Sequence, residues 1–382
     1  MFFFFDEIPT LPLFDKILID PKVKESERER MNIALQKRAK IVFVSKFPTD
    51  ISEPFFRELT DSLNASIDIM EVGVKQKVNF NEIHYKGFLN NSGKIISVGN
   101  TPESITTCDY IFLRYALVFS LMKYLSSKVE LICSNPKNLS DNEESLKEVI
   151  GLLKLATSKF YKLVKHKHLL FPKLKVEDNI SELNPQTLQN IELLFRVNFA
   201  SLLIVKAMSK PLDGPKVIFL SQLTKSIYII LLEIQPYFRS QKHEIFYLIA
   251  DFCEIALGWY QLMCLFSLLK SHSLSLMGAI QKKKNHHQII YESAMLATEI
   301  QNIVAEFSTK TFKSRHFFVI DHNRSQIQKF FEAFMRSECQ EALKSYELLK
   351  GDLQNISKCG PKTLMNEIKF EKDYLLTIFE EN

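Results

Sequence analysis

Asp251 and Glu254 are the side chains best placed for chemistry. They stand three apart inside the apolar stretch IFYLIADFCEIALGWYQLMCLFSLL, residues 245 to 269. On a helix that spacing puts both carboxylates on one face, an arrangement that can ligate a metal, and a helical metalloenzyme is one reading. The companion Glu-x-x-His motif is missing, so the pair reads instead as carboxylates neutralised by a Lys or Arg of a neighbouring helix, or facing a solvated groove. His166 and His168 lie in KHKH, and His286 and His287 follow Lys282, Lys283 and Lys284. Flanking lysines repel a metal cation, so both clusters read as basic loops or helix ends. As a functional alternative, Lys282, Lys283 and Lys284 suit an anionic membrane or an acidic partner, at about 1 kcal/mol per basic residue near a membrane surface. Six cysteines, at 108, 133, 253, 264, 339 and 359, form no CxxC pair. A zinc site is therefore not expected. Cys253 and Cys264 read as buried thiols, in keeping with a reducing cytosol. No phosphate loop, dinucleotide fingerprint, nucleophile elbow or zinc-protease helix occurs. Trp259 and Tyr260 read as core rather than a ligand cage. The chain is read as a binding scaffold, not an enzyme, with no cofactor and no metal.

The elements that carry these residues are mostly helical. Over 382 residues there are only 10 Gly and 13 Pro, which argues for long helices and short connections. Apolar residues make up 46% and charged residues 24%, the balance of a globular chain. A formal charge of +5 lacks the basic field of a nucleic-acid binder but permits contact with an anionic membrane. Helices are predicted over 24–40 and 53–71, strands and turns over 76–100, and almost continuous helix from 101 on. Thr101-Pro102-Glu103 and Asn184-Pro185 read as helix starts, and Lys210 to Pro215 as a helix end. Further helices are predicted over about 216–234, 240–281, 287–306, 324–350 and 362–380. No Pro/Gly/Ser-rich linker divides the chain, so one domain is expected over 1–382: a mixed part to residue 100, then a helical array.

Residues 192 to 208, ELLFRVNFASLLIVKAM, are apolar on nearly every side. A surface helix shows a single apolar stripe. Arg196, Asn198 and Lys206 here, and Asp251 and Glu254 in the longer stretch, argue for buried helices of a soluble protein rather than membrane spans. The start, MFFFFDEIPTLPL, meets Asp6 and Glu7 at once, so it reads as an extended edge segment and not a secretory leader.

Four stretches resemble a known family. VNFNEIHYKGFL (78–89) is similar to a short strand running into an aromatic segment, and SITTCDYIFLRYALVFSLMKYLSSKVEL (104–131) to the long helix that follows. IGLLKLATSKFYKL (150–163), with ELNPQTLQNIELLFRVNFASLLIVKAM, resembles the next pair. KVIFLSQLTKSIYIILLEI (216–234) and DFCEIALGWYQLMCLFSLL align with two more helices. Together they resemble the Bro-type domain of the ESCRT-associated adaptors, nearest to the compact palC-type members of the fungal alkaline-pH response. The strand segment lacks the family's Trp, and Asn198-Phe199-Ala200 replaces its Gln-Ala-Gln.

The resemblance implies a mainly α fold: a curved, tetratricopeptide-like helical array with a small β-sheet near the N-terminus. It implies an adaptor that grips the C-terminal amphipathic helix of the ESCRT-III core subunit and links it to alkaline-pH signalling components. That places the chain in the cytoplasm, recruited to endosomal or cortical membranes. Carried over by position, the apolar patch is Leu203, Phe219 and Leu223, with Lys206 and Lys225 available to acidic residues of the partner helix. A generic helical scaffold for another protein or peptide at a membrane surface is the alternative.

Overall fold

The computed structural model describes residues 2–3, 24–46, 84–86, 89, 95–97, 102–133, 143–165, 184–241, 243–281, 286–309, 325, 327–349 and 360–368. The helix expected over 53–71, the His166–His168 cluster and Lys282, Lys283 and Lys284 lie outside these residues. The chain divides into two compact units, Phe4–Phe199 and Ala200–Asn382 with Met1–Phe3.

In the first unit, α1 is Glu25–Lys46, and two short strands, β1 (His84–Lys86) and β2 (Ile95–Ser97), pair antiparallel with Tyr85 opposite Ile96. Helix α2 (Pro102–Cys133) packs on α1 and on α3 (Glu143–Lys165). Helix α4 (Pro185–Met208) contributes its residues up to Phe199 to this unit. Its start follows from sequence. Asn184 Oδ1 accepts from the backbone N–H of Gln186 at 2.8 Å and of Thr187 at 3.3 Å, occupying donors that the first turn would leave unpaired. The core is an aromatic cluster. Phe160 stands 5.1 Å from Phe195 and 5.6 Å from Tyr115, and Phe119 stands 5.8 Å from Phe195, ring to ring. Edge-on contacts of this kind are favourable beyond the area they bury.

This accounts for most of the many-sided apolar segment. Leu194, Phe195, Val197, Phe199, Leu202 and Ile204 are all buried. Arg196 is buried too, ion-paired with Glu192 one turn earlier and placed over the ring of Tyr161 at 5.1 Å. Burial pushes the Glu192 carboxyl above its usual range, against the pull of the guanidinium.

The second unit is all helix among its described residues. Helix α5 (Gly214–Ser240) and α6 (Glu244–Gln281) form a hairpin, α7 (His287–Thr309) packs on α6, and α8 (Arg336–Leu349) packs on α7. A π-helical turn, Phe331–Met335, leads into α8. The short α9 (Pro361–Glu367) rests on α6 and α7. Ser201, at the end of α4, hydrogen-bonds the Tyr260 hydroxyl of α6. Phe3 is buried with its ring 5.2 Å from Phe252.

Three boundaries differ from the sequence reading. Helix α5 runs on through Pro236 to Ser240. Proline removes one helical N–H, which leaves the Leu232 carbonyl without its usual donor. Leu232 and Pro236 are both exposed, so water can serve that carbonyl. Helix α6 begins at Glu244, after a cap in which the Gln241 N–H bonds the Phe238 carbonyl. Helix α9 stops at Glu367, because Ile368 turns extended.

Helices α5 and α6 are long and apolar enough to cross a membrane by length and composition. Two-thirds of the apolar window of α6 is buried inside the protein, 67%, as in a core helix. Arg239 of α5 pairs with Asp251 and Glu254 of α6, Nη1 bonding Asp251 at 2.7 Å and Nη2 bonding Glu254 at 2.9 Å.

Candidate partner-binding surface

The connection from α4 to α5 is a short, self-locked turn. The Asp213 side chain accepts from the Lys216 N–H at 3.0 Å and caps α5, with Pro215 in its first turn. Lys216 Nζ reaches back to the Pro211 carbonyl at 2.9 Å and to the Asp213 carboxylate at 3.0 Å. These bonds hold the Asp213 carboxyl below its usual range, the Lys216 N–H contributing most. The segment read as a helix end is therefore also a helix start. The signal was present as Asp-Gly-Pro, a capping residue followed by proline.

Leu203 is half-buried and Lys206 is exposed on α4, and Phe219 is half-buried on α5. Leu223 is a correction: it is 0% exposed and belongs to the core. Phe219 and Leu223 share one flank of the helix, and that flank borders the buried row of Leu220, Thr224 and Ile227. Lys225 is half-buried on α5, and its Nζ donates to the carbonyls of Asn366 at 3.2 Å and Ile368 at 2.8 Å.

The outward face of α5 lies one residue away in register. Ile218 is 56% exposed and Leu232 48%. With Gln222, Lys225 and Ile229 they recur at steps of three and four, one face of a helix. Sequence reading passed over this stripe because α5 is apolar on almost every side, so periodicity could not separate the solvent face from the core face.

The remaining chemical candidates are structural. The Arg239 bridge occupies both carboxylates that could have ligated metal. Among the described residues no group of three or more His, Cys, Asp or Glu is placed to hold a metal ion. His286 and His287 face each other with rings 5.3 Å apart. Tyr260 is core, and half-buried Trp259 packs on Phe330 with ring centroids 4.8 Å apart. Burial pushes the thiols of Cys264 and Cys339 up to about 12 and that of Cys253 higher still, so none is a thiolate nucleophile at neutral pH. One group escaped the sequence reading. His272 of α6 is largely buried, with Nε2 3.7 Å from a Glu292 carboxylate oxygen of α7. Burial holds its pKa below the usual value, against the opposing pull of Glu292 and Glu367.

No protein-family model matches the chain, and no curated protein matches it. Solved structures do. One, titled "ALIX BRO1 CHMP4C complex", superposes with a TM-score of 0.59 over 89% of this chain and 85% of its own, at 11% identity. Another, titled "Structure basis for endosomal targeting by the Bro1 domain", covers all of this chain and 96% of its own, with a TM-score of 0.55 at 9% identity. The fold is that of a Bro1 domain. At such identities the likeness is one of backbone architecture.

Proposed function

We propose that this chain is a non-enzymatic Bro-type adaptor that docks the C-terminal amphipathic helix of the ESCRT-III core subunit. The observation that carries this is the outward face of α5, where Ile218 and Leu232 stand half in solvent on a helix otherwise built for burial. Helix-in-groove recognition lays the apolar face of an amphipathic helix against exposed apolar side chains of this kind. Half-buried Leu203 and Phe219 and exposed Lys206 extend the candidate surface toward the turn between α4 and α5. The complex named for the ALIX structure supports the choice of partner class, and the endosomal targeting named for the other supports a cytoplasmic protein recruited to endosomal membranes.

Within that reading the chain acts as one Bro-type domain over 1–382, of the palC type, with the small N-terminal β-sheet of that family. It joins ESCRT-III to components of the alkaline-pH response at endosomal or cortical membranes. The support for the palC assignment is the sequence resemblance alone.

The test is calorimetry of the full chain against a peptide of the ESCRT-III core subunit's C-terminal helix, beside Ile218→Asp and Leu203→Asp variants with unchanged melting curves. Wild-type binding should weaken by ~30-fold or more in Ile218→Asp, as for the loss of a central anchor worth about 2 kcal/mol. Absence of wild-type binding would sink the proposal.

A second reading is favoured by exposed Leu274 and Met277 at the end of α6, the latter 59% exposed, which lead toward Lys282, Lys283 and Lys284. Apolar side chains beside a basic run suit a scaffold apposed to an anionic membrane. Sedimentation with vesicles containing anionic lipid, against neutral vesicles, separates it from the first.

A further inference from the structure

Helix α9 is weakly anchored for a segment packed on a helical core. Its seven residues are too few for a helix that stands alone. Gly360 precedes it in extended conformation with no side-chain cap, and Lys362, Thr363, Asn366 and Glu367 are exposed. Two apolar side chains, Leu364 and Met365, enter the interior, at 6% and 8% exposure. Besides the pull between Glu367 and His272, a polar hold lies at the C-terminal end. The last carbonyls of a helix have no partner within it and carry its negative pole. Lys225 of α5 supplies that partner, with Nζ on the carbonyls of Asn366 and Ile368.

The position of Lys225 gives the contact its meaning. It lies seven residues after Ile218 and seven before Leu232, two helical turns from each, on the outward stripe of α5. The cation in the middle of that stripe is thus already bonded to two oxygens of the protein's own C-terminal segment. Both are neutral carbonyl oxygens. The lysine's charge already assists these bonds, and a carboxylate offered by an incoming helix adds a full negative charge on the acceptor's side.

We infer that α9 is a latch in cis: it holds Lys225 with its terminal carbonyls in the free protein, and an acidic amphipathic helix docking on α5 takes Lys225 and releases it. The inference rests on the reading of α5 as the docking face and adds a regulated step to it. While the latch is closed, the apparent affinity for the partner is reduced by the fraction of chains that are open. Anything that opens α9 raises affinity without touching the docking face.

The experiment pairs amide hydrogen exchange at 361–368 with calorimetry, on the full chain, against the C-terminal helix peptide of the ESCRT-III core subunit. Leu364→Asp places a charge in the bed of α9 and opens the latch. Asn366→Pro breaks the helix end at an exposed position and serves where Leu364→Asp lowers the melting temperature of the whole chain. Faster exchange at 361–368 in the open variant, peptide affinity tighter by about 3-fold or more, and faster exchange at 361–368 of wild type on adding peptide are the expected results. Equal affinity in wild type and open variant, or peptide binding that leaves exchange at 361–368 unchanged, overturns the latch and spares the docking face. No binding to either protein overturns the docking face, and the latch with it.

Discussion

Gly258 of α6 lies so close to Phe307 of α7 that a Cβ at position 258 would stand 1.9 Å from two carbons of the ring. Elsewhere in a helix interior, alanine stabilises by about 1 kcal/mol over glycine. Here the sign reverses, because Phe307 is itself buried and its ring must move. Gly258→Ala should destabilise by about 1–3 kcal/mol, the usual range for overpacking. Adding Phe307→Leu should return part of that loss. Urea unfolding of the single and double variants checks both.

Arg239 bridges Asp251 and Glu254, and Asp251 is almost wholly buried. Arg239→Met removes the donor from two carboxylates on one helix face. The expected cost is about 2–3 kcal/mol in urea unfolding, with partial rescue by Asp251→Asn. Because the guanidinium takes both carboxylates, treatment with a chelator should leave the melting curve unchanged.

His272 makes stability depend on pH. Its pKa in the folded chain lies below 6.5 through burial, while Glu292 and Glu367 pull the other way, and Gln288 donates to Glu292 at 2.6 Å. Well above pH 6.5 the ring is neutral in folded and unfolded chains alike, and it contributes no slope. As pH falls through 6.5 the unfolded chain takes up a proton that the folded chain refuses. Stability then drops, by at most about 1.4 kcal/mol per pH unit from this residue, until the folded ring also protonates. His272→Gln should flatten the urea midpoint between pH 6.5 and 5.

Asp213 behaves in the opposite sense to a buried acid. Its folded pKa lies below 3.8 because the Lys216 N–H and ammonium favour the carboxylate. The cap is therefore at full strength above pH 3.8 and fades as pH falls through the folded value. Asp213→Ala should lower the melting temperature at neutral pH, Asp213→Asn should lower it less, and the two should converge with wild type in acid.

The elements that proved legible in sequence are those with punctuation at their ends. Asn184-Pro185 marks the start of α4, and the hydrogen bonds of Asn184 to Gln186 and Thr187 are the physical content of that signal. The pairing of Asp251 and Glu254 with a cation of a neighbouring helix was legible too, since a carboxylate buried in an apolar segment needs one. The surface was harder. Leu223 and Ile218 are both aliphatic residues of one apolar helix, yet Leu223 is core and Ile218 faces solvent. Only the packing of α6 against α5 decides between them. The hold on Lys225 was out of reach for a different reason: its partners are backbone carbonyls, which every residue owns and no side-chain pattern advertises.

The clamp between α5 and α9 joins residues 225 and 368, which are 143 positions apart. At roughly 5–20 residues per second, a ribosome needs on the order of 10–30 s to travel between them. The helices on which α9 rests, α6 and α7, are complete at Thr309, still 59 residues before Ile368. In that last part of synthesis a nascent chain has made α5 and the bed of Leu364 and Met365 but not the segment that covers them. The order of synthesis thus makes α9 the last of the described helices to reach its place.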